Sequence, residues 1–100
     1  MTLGILVTTD KYGDDIRSIA QAAVKKGHKV IIFFMDEGCR LATDSGIASL
    51  CSFDSISMSM CDYNRNKMGI AKEEVPEGVA CGSQYDNAAM NRDADKVIAF

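Results

Sequence analysis

Short apolar runs alternate with segments of helical periodicity along this chain, and the alternation is the strongest restriction on its fold. Residues 3–7 form one continuous apolar run, residues 16–24 carry apolar side chains at helical spacing, and residues 30–35 form a second apolar run. Continuous apolar runs are typical of strands that are buried on both faces. Two such strands joined by a helix make a parallel pair with a right-handed crossover.

The rest of the chain continues the same pattern. Residues 41–53, 62–70 and 84–92 are expected to be helical, and residues 55–60, 78–81 and 97–100 are expected to be strands. Alternating strands and helices build α/β folds, in which helices cover a mostly parallel sheet. The sequence therefore predicts a three-layer α/β/α sandwich with a five-stranded sheet in the flavodoxin-like order 2-1-3-4-5. We expect residues 1–100 to form a single domain.

The composition narrows the environment and the partners of the protein. Hydrophobic residues make up 47% of the chain, charged residues make up 25%, and the formal net charge is −3. No segment is strongly basic, so we expect no nucleic-acid partner. The longest apolar run is too short to cross a bilayer and the N-terminus has no signal-peptide pattern, so we expect no membrane partner and a cytoplasmic location. In a reducing cytosol, the four cysteines are expected to be free, catalytic or metal-binding.

Three of the cysteines come where predicted strands end. Cys39 follows the second strand, Cys61 closes the third, and Cys81 closes the fourth. Parallel strands end at the same edge of a sheet, and this is the edge where open α/β sheets bind ligands. The positions therefore point to thiol chemistry.

Cys61 is the candidate nucleophile. It directly precedes a predicted helix, whose first backbone N–H groups favour an anion, and Arg65 is expected to help to stabilise a thiolate there. Asp62 opposes this effect through its like charge. An inert, buried thiol is the alternative interpretation of Cys61.

The other cysteines have weaker assignments. Cys39 is either a resolving thiol for Cys61 or an incidental loop residue, and Cys81 either lines the same pocket or packs beneath it. Cys51 falls on the apolar face of a predicted helix, so we expect it to lie in the core. The chain has no close cysteine pair of the kind that zinc and iron–sulfur sites use, and no phosphate-binding glycine pattern, so we expect no metal and no cofactor.

In their order and spacing, several segments resemble the DsrE/DsrF-like family of sulfur-relay proteins. These segments are residues 4–10, residues 30–38, Cys61 with residues 68–70 after it, and residues 94–100. The resemblance implies a flavodoxin-like sheet, trimers or hexamers, and a strand-end cysteine that carries a persulfide between partner proteins. That cysteine corresponds to Cys61. We expect its pocket to be lined or supported by Cys39, Cys81, Arg65, Thr9 and Asp10.

The leading hypothesis is a cytoplasmic sulfur carrier, or a sulfurtransferase-like protein, that holds sulfane sulfur as a persulfide on Cys61. Its expected partners are sulfur donor and acceptor proteins and further copies of the same chain. Tyr63, Met68 and Ile70 are expected to contribute to a subunit interface near Cys61. Two alternatives stay open: a binding module without turnover, and a redox sensor in which Cys61 forms a disulfide with Cys39 or Cys81.

Overall fold

The computed structural model describes residues 1–100 and contains five strands, four α-helices and three short 3-10 helices. The longest helix has 13 residues, and none combines the length and the apolar character that crossing a membrane requires. The strands are β1 (Thr2–Val7), β2 (Lys29–Phe34), β3 (Ile56–Cys61), β4 (Val79–Gly82) and β5 (Lys96–Ala99). The α-helices are α1 (Gly13–Lys25), α2 (Ser45–Ala48), α3 (Asp62–Lys67) and α4 (Gln84–Asp93), and the 3-10 helices span Asp36–Thr43, Ser49–Ser52 and Lys72–Glu74.

All five strands belong to one parallel sheet with the order β4-β3-β2-β1-β5. The predicted α/β fold class is therefore confirmed. The strand order differs from the expected 2-1-3-4-5 in the strands that flank β1. The structure pairs β3 with β2 instead of with β1, and β5 takes the free side of β1.

The strand order follows from how apolar each strand is. The expected order would have placed β3 at the centre of the sheet, but β3 carries Ser57 and Ser59 on one face, and Ser57 is exposed. β2 has apolar residues on both faces from Val30 to Phe34, and most of these side chains are buried. The central strand of an open sheet is covered on both faces, so β2 takes that position.

The two faces of the sheet are covered unequally. Side chains alternate between the faces, so Ile32 and Phe34 pack with α1 and the segment after β2 in the larger core, while Phe33 packs with Met90 of α4. α4 alone covers this second face, over β1 and β2. Ser57 of β3 and Ala80 of β4 remain exposed there.

The segment between β2 and β3 forms three short helices instead of the single helix predicted for residues 41–53. The break lies at Asp44, whose side chain accepts hydrogen bonds from the backbone N–H groups of Gly46 and Ile47. A side chain that caps a new helix in this way ends the preceding one. Gly46 also leaves room for the guanidinium of Arg17, since an added Cβ would lie 2.8 Å from its Nη1.

Gly38 lets the segment after β2 pass close to the end of β1. A Cβ added at Gly38 would overlap the carbonyl oxygen of Val7. That oxygen accepts a hydrogen bond from the N–H of Met35, and the N–H of Gly38 donates to the carbonyl oxygen of Met35, so the backbone is held on both sides of the contact. This close approach fixes the position of the next residue, Cys39, against the sheet.

We predict that Gly38→Ala destabilises the protein by about 2 kcal/mol, because the backbone must move to relieve the overlap. Gly13→Ala is the matched control, since its Cβ would meet only the flexible end of Leu41, at 3.3 Å, and alanine is the better helix former. Urea denaturation of the two variants measures the difference. Equal unfolding midpoints would show that the Val7–Gly38 approach is not tight.

Candidate functional site

A pocket of about 490 Å³ opens at the edge of the sheet where the parallel strands end. It lies between the ends of β2, β3 and β4 and the starts of α3 and α4. Its lining combines apolar and polar side chains, and one of these side chains is acidic. The residues that line it are Met35, Asp36, Cys61, Tyr63, Asn64, Gly82, Ser83 and Gln84.

Cys61 is the thiol of this pocket. It is the last residue of β3 and the residue that precedes α3, and it is 5% exposed. It lies opposite Gly82 in the ladder with β4 and packs on the α4 side of the sheet with Phe33 and Met90. Gly82 has no side chain, and the carboxylate of Asp86 occupies the place that a Cβ at Gly82 would take.

Cys81 lies on the other face of the sheet. It is opposite Met60 in the ladder, and Met60 belongs to the larger core, whereas Cys61 points to the α4 side. Cys81 is exposed and does not line the pocket. The sequence reading that put both thiols in one pocket is therefore corrected, because adjacent positions of a strand point to opposite faces.

Cys39 is buried within the 3-10 helix that follows β2 and is fully inaccessible to solvent. Its Sγ is 3.8 Å from the carbonyl oxygen of Phe34. Burial, followed by the nearby charges of Cys61 and Asp36, raises the pKa of the Cys39 thiol to about 11. This thiol stays protonated near neutral pH, which makes it a poor resolving nucleophile.

Arg65 is buried and bound to its own segment, which corrects its expected role beside the Cys61 thiolate. Its Nε donates to Oδ1 of Asp62 at 2.7 Å, and its Nη1 donates to the carbonyl oxygen of Ile70 at 2.6 Å. The hydrogen bond from Arg65 holds the pKa of Asp62 below its ordinary value. Arg65 therefore closes the turn after α3, and Arg65 and Asp62 largely cancel each other's charge.

Thr9 and Asp10 follow β1 at the same edge of the sheet, but neither lines the pocket. The hydroxyl of Thr9 is buried without a hydrogen-bond partner, and Asp10 is exposed. β1 is separated from β3 by β2, so the end of β1 is two strands away from Cys61. The expectation that these two residues support the pocket had assumed that β3 pairs with β1.

Sequence reasoning missed the polar residues around the thiol. Asp36 has a positive φ of 50°, and its backbone N–H donates to Oδ1 of Asn64 at 3.0 Å, which ties the end of β2 to α3. The amide of Gln84 donates to the sulfur of Met35 at 3.8 Å across the pocket. The position of Asp36 directly after a strand was a usable signal, whereas the parts of Asn64 and Gln84 depend on the tertiary fold.

Two further predictions about side chains need correction. Cys51 is exposed, because the broken helix turns its apolar face away from the expected register. Ile70 is 8% exposed and packs in the larger core, and Met68 packs against the same core, so of the three expected interface residues only Tyr63 is freely exposed. No three His, Cys, Asp or Glu side chains come together in a group that could hold a metal ion.

Comparison with known proteins supports the fold. No protein-family model matches the chain, and no curated protein sequence matches it. The chain is similar to the crystal structure of the ychN protein from E. coli, with a TM-score of 0.75 at 14% identity over 100% of both chains. It is also similar to the structure of MTH1491, a protein of unknown function from Methanobacterium thermoautotrophicum, with a TM-score of 0.73 at 12% identity over 99% of this chain and 98% of that chain. These likenesses support the fold that the DsrE/DsrF-like resemblance implied, and identities this low carry no statement about activity.

We predict a fixed order of alkylation for the four thiols by a neutral reagent at about pH 8. The exposed Cys51 and Cys81 should react first, Cys61 should react more slowly through its pocket, and Cys39 should react last because it is buried and protonated. Peptide mass spectrometry over time measures the four rates. The unfolded chain in urea is the control, and all four rates should be similar there. Labelling of Cys39 ahead of Cys61 in the native protein would contradict this assignment.

Proposed function

We propose that the protein is a cytoplasmic sulfur carrier of the DsrE/DsrF-like kind, which holds sulfane sulfur as a persulfide on Cys61. The observation that carries this proposal is the pocket at the carboxyl edge of the sheet, in which Cys61 is the one thiol. Ligand sites of open α/β sheets lie at this edge. The donor and acceptor of the sulfur are proposed to be thiol proteins.

The proposed transfer needs one nucleophile and no net change in oxidation state. The Cys61 thiolate attacks the outer sulfur of a donor persulfide R–S–SH, the donor S–S bond breaks, and the donor leaves as the thiolate RS⁻. Cys61 then carries –S–SH. In the second half, an acceptor thiolate attacks the outer sulfur of this persulfide, and Cys61 leaves as a thiolate that is ready for the next donor.

Two side-chain amides of the lining are proposed to stabilise the anionic sulfur, the role that the sequence analysis had given to Arg65. The side-chain oxygen of Asn64 accepts the hydrogen bond from Asp36, while its amide nitrogen, the donor group, has no partner within the chain. The amide nitrogen of Gln84 has only the weak sulfur acceptor of Met35. These two amides are the proposed donors to the anionic outer sulfur of the Cys61 persulfide.

The geometry favours the carrier over the redox sensor. A sensor needs a second thiol that reaches Cys61, but Cys81 lies on the opposite face of the sheet and Cys39 is buried with a raised pKa. A binding module without turnover uses the same pocket, and it differs from the carrier in leaving the thiol unchanged. The mass of the protein after exposure to a sulfur donor therefore separates the three functions.

We predict that a persulfide donor adds about 32 Da, one sulfur atom, to Cys61, and that an acceptor thiol removes it again. Cys61→Ser should abolish this addition, whereas Cys81→Ser, which changes a thiol on the other face, should retain it on Cys61. Mass spectrometry of the intact protein and its peptides makes the measurement. Loss of two hydrogens would favour the sensor, and an unchanged mass would favour the binding module.

We also propose that the protein is a homo-oligomer, either a trimer or a hexamer, with the Cys61 pocket near a subunit boundary. The support is the part of the sheet face that α4 leaves uncovered, where Ser57 and Ala80 are exposed. Tyr63 in the pocket lining and Tyr85 near the start of α4 are each 72% exposed. A large exposed aromatic side chain is a common element of protein interfaces.

We predict that light scattering at micromolar concentration gives a multiple of the monomer mass of 10.8 kDa. Ala80→Arg, on the uncovered face, should shift the population toward the monomer by placing a charge in the interface. Ala22→Arg, at an exposed position on α1, is the matched control and should leave the assembly unchanged. A wild-type protein of 10.8 kDa would contradict the proposal.

A further inference from the structure

Asp36 is the one charged residue in the lining of the Cys61 pocket. The seven others are uncharged, and the carboxylate of Asp86 lies against Gly82 behind the lining, so the charges at this pocket wall are negative. Asp36 also borders the adjacent depression of about 440 Å³, which Glu37 and Lys67 line as well. Asp36 therefore lies at the boundary between the pocket and this depression.

The cations near this edge do not neutralise Asp36 inside the pocket. Arg65 is bound to Asp62 and to Ile70 and does not line the pocket. Arg40 pairs with Glu37 at 2.9 Å. Lys67 shares the adjacent depression with Asp36, and its Nζ lies 5.9 Å from the centre of the Tyr63 ring, but it does not line the Cys61 pocket.

The backbone holds Asp36 in this place. Its φ of 50° lies in the left-handed region, which side chains other than those of glycine, asparagine and aspartate rarely adopt, and its N–H is fixed by Asn64. The charges of Asp36 and of Cys61 both raise the pKa of Cys39, so the carboxylate and the Cys61 thiol act on the same small region. Asp36 thus places a negative charge in the wall of the pocket that contains the Cys61 sulfur.

We infer that Asp36 determines the charge of the compounds that react at Cys61, disfavouring anionic reactants and favouring neutral or cationic ones. For sulfur donors, this inference rests on the carrier function proposed above. Thiosulfate is a dianion, and attack of the Cys61 thiolate on its outer sulfur, with sulfite as the leaving group, brings like charges together at Asp36. A donor that carries an ammonium group next to its persulfide is instead attracted by the carboxylate of Asp36. The inferred donors are therefore persulfides whose neighbouring groups are uncharged or positively charged.

The test compares two alkylating reagents of similar size, the anion iodoacetate and the neutral iodoacetamide, and therefore needs no sulfur transfer. A Cys51→Ser, Cys81→Ser background leaves Cys61 as the accessible thiol, and mass spectrometry gives the two rates. At low ionic strength, Asp36→Asn should raise the iodoacetate-to-iodoacetamide rate ratio by about threefold, which corresponds to one charge partly screened by water. Asparagine tolerates the positive φ of this position, so the backbone is retained.

Two matched variants make the result specific to the charge. Lys67→Gln should lower the ratio, and Asp15→Asn, which removes an exposed acid on α1, should leave it unchanged. In about 1 M salt, where the Debye length is about 3 Å, the effect of Asp36→Asn should largely vanish. An unchanged ratio in Asp36→Asn, or an equal change in Asp15→Asn, would overturn the inference.

A second arm uses thiosulfate and the persulfide of cysteamine, which carries an ammonium group, as sulfur donors. The wild-type protein should load Cys61 faster from the cysteamine persulfide, and Asp36→Asn should narrow the difference by about threefold. If neither donor loads Cys61 while the alkylation ratios shift as expected, the carrier function fails and the selectivity of Asp36 stands. If loading occurs and the alkylation ratio does not change, the carrier function stands and the role of Asp36 is overturned.

Discussion

The burial of β2 on both faces is the constraint on which the rest of the structure depends. Residues Val30 to Phe34 offer apolar side chains in both directions, so both faces of this strand must be covered. α1 and the segment after β2 cover one face, and α4 covers the other by packing Met90 against Phe33. With β2 at the centre, the less apolar β3 moves one position toward the edge, and its end comes to lie beside the short edge strand β4. The space around Cys61 is a consequence of that arrangement.

Side chains alternate between the two faces of a strand, and this alternation separates the thiols at the carboxyl edge of the sheet. Cys61 and Cys81 end adjacent strands, yet the ladder pairs Cys61 with Gly82 and Met60 with Cys81, so the two sulfurs lie on opposite faces. A shift of one residue in this register would have placed the two thiols side by side as a potential disulfide. The observed register instead leaves one thiol in a pocket, one on the open surface, and a third, Cys39, within the core. A lone thiol in a pocket suits the transfer of a group better than it suits the storage of a disulfide.

The sequence was sufficient for the fold class, because apolar periodicity within each segment is a local property. It also located the five strands and α4 to within one residue at each end. The strand order was beyond local reasoning, since it depends on which strand competes best for the centre of the sheet. The same distinction between local and tertiary information applies to the site. The position of Cys61 at a strand end could be predicted from the sequence. The pairing of Arg65 with Asp62 and the exposure of Cys51 could not, because they depend on where short helices begin and end. Thr9 and Asp10 were assigned to the pocket only because β1 had been placed next to β3.

The likeness to ychN at 14% identity separates what the fold determines from what the side chains determine. A pattern of apolar and polar positions is enough to conserve a sheet of this shape, so very different sequences can share it. The same freedom applies to the charges around a strand-end cysteine. In this chain, the basic side chain that follows Cys61 is bound to Asp62, and the charge that remains in the pocket is the carboxylate of Asp36. In the proposed carrier, the side-chain amides of the lining are the donors to the anionic outer sulfur, and Asp36 favours a partner that brings a positive charge. On this proposal, the same few polar groups would hold the sulfur and select the partner.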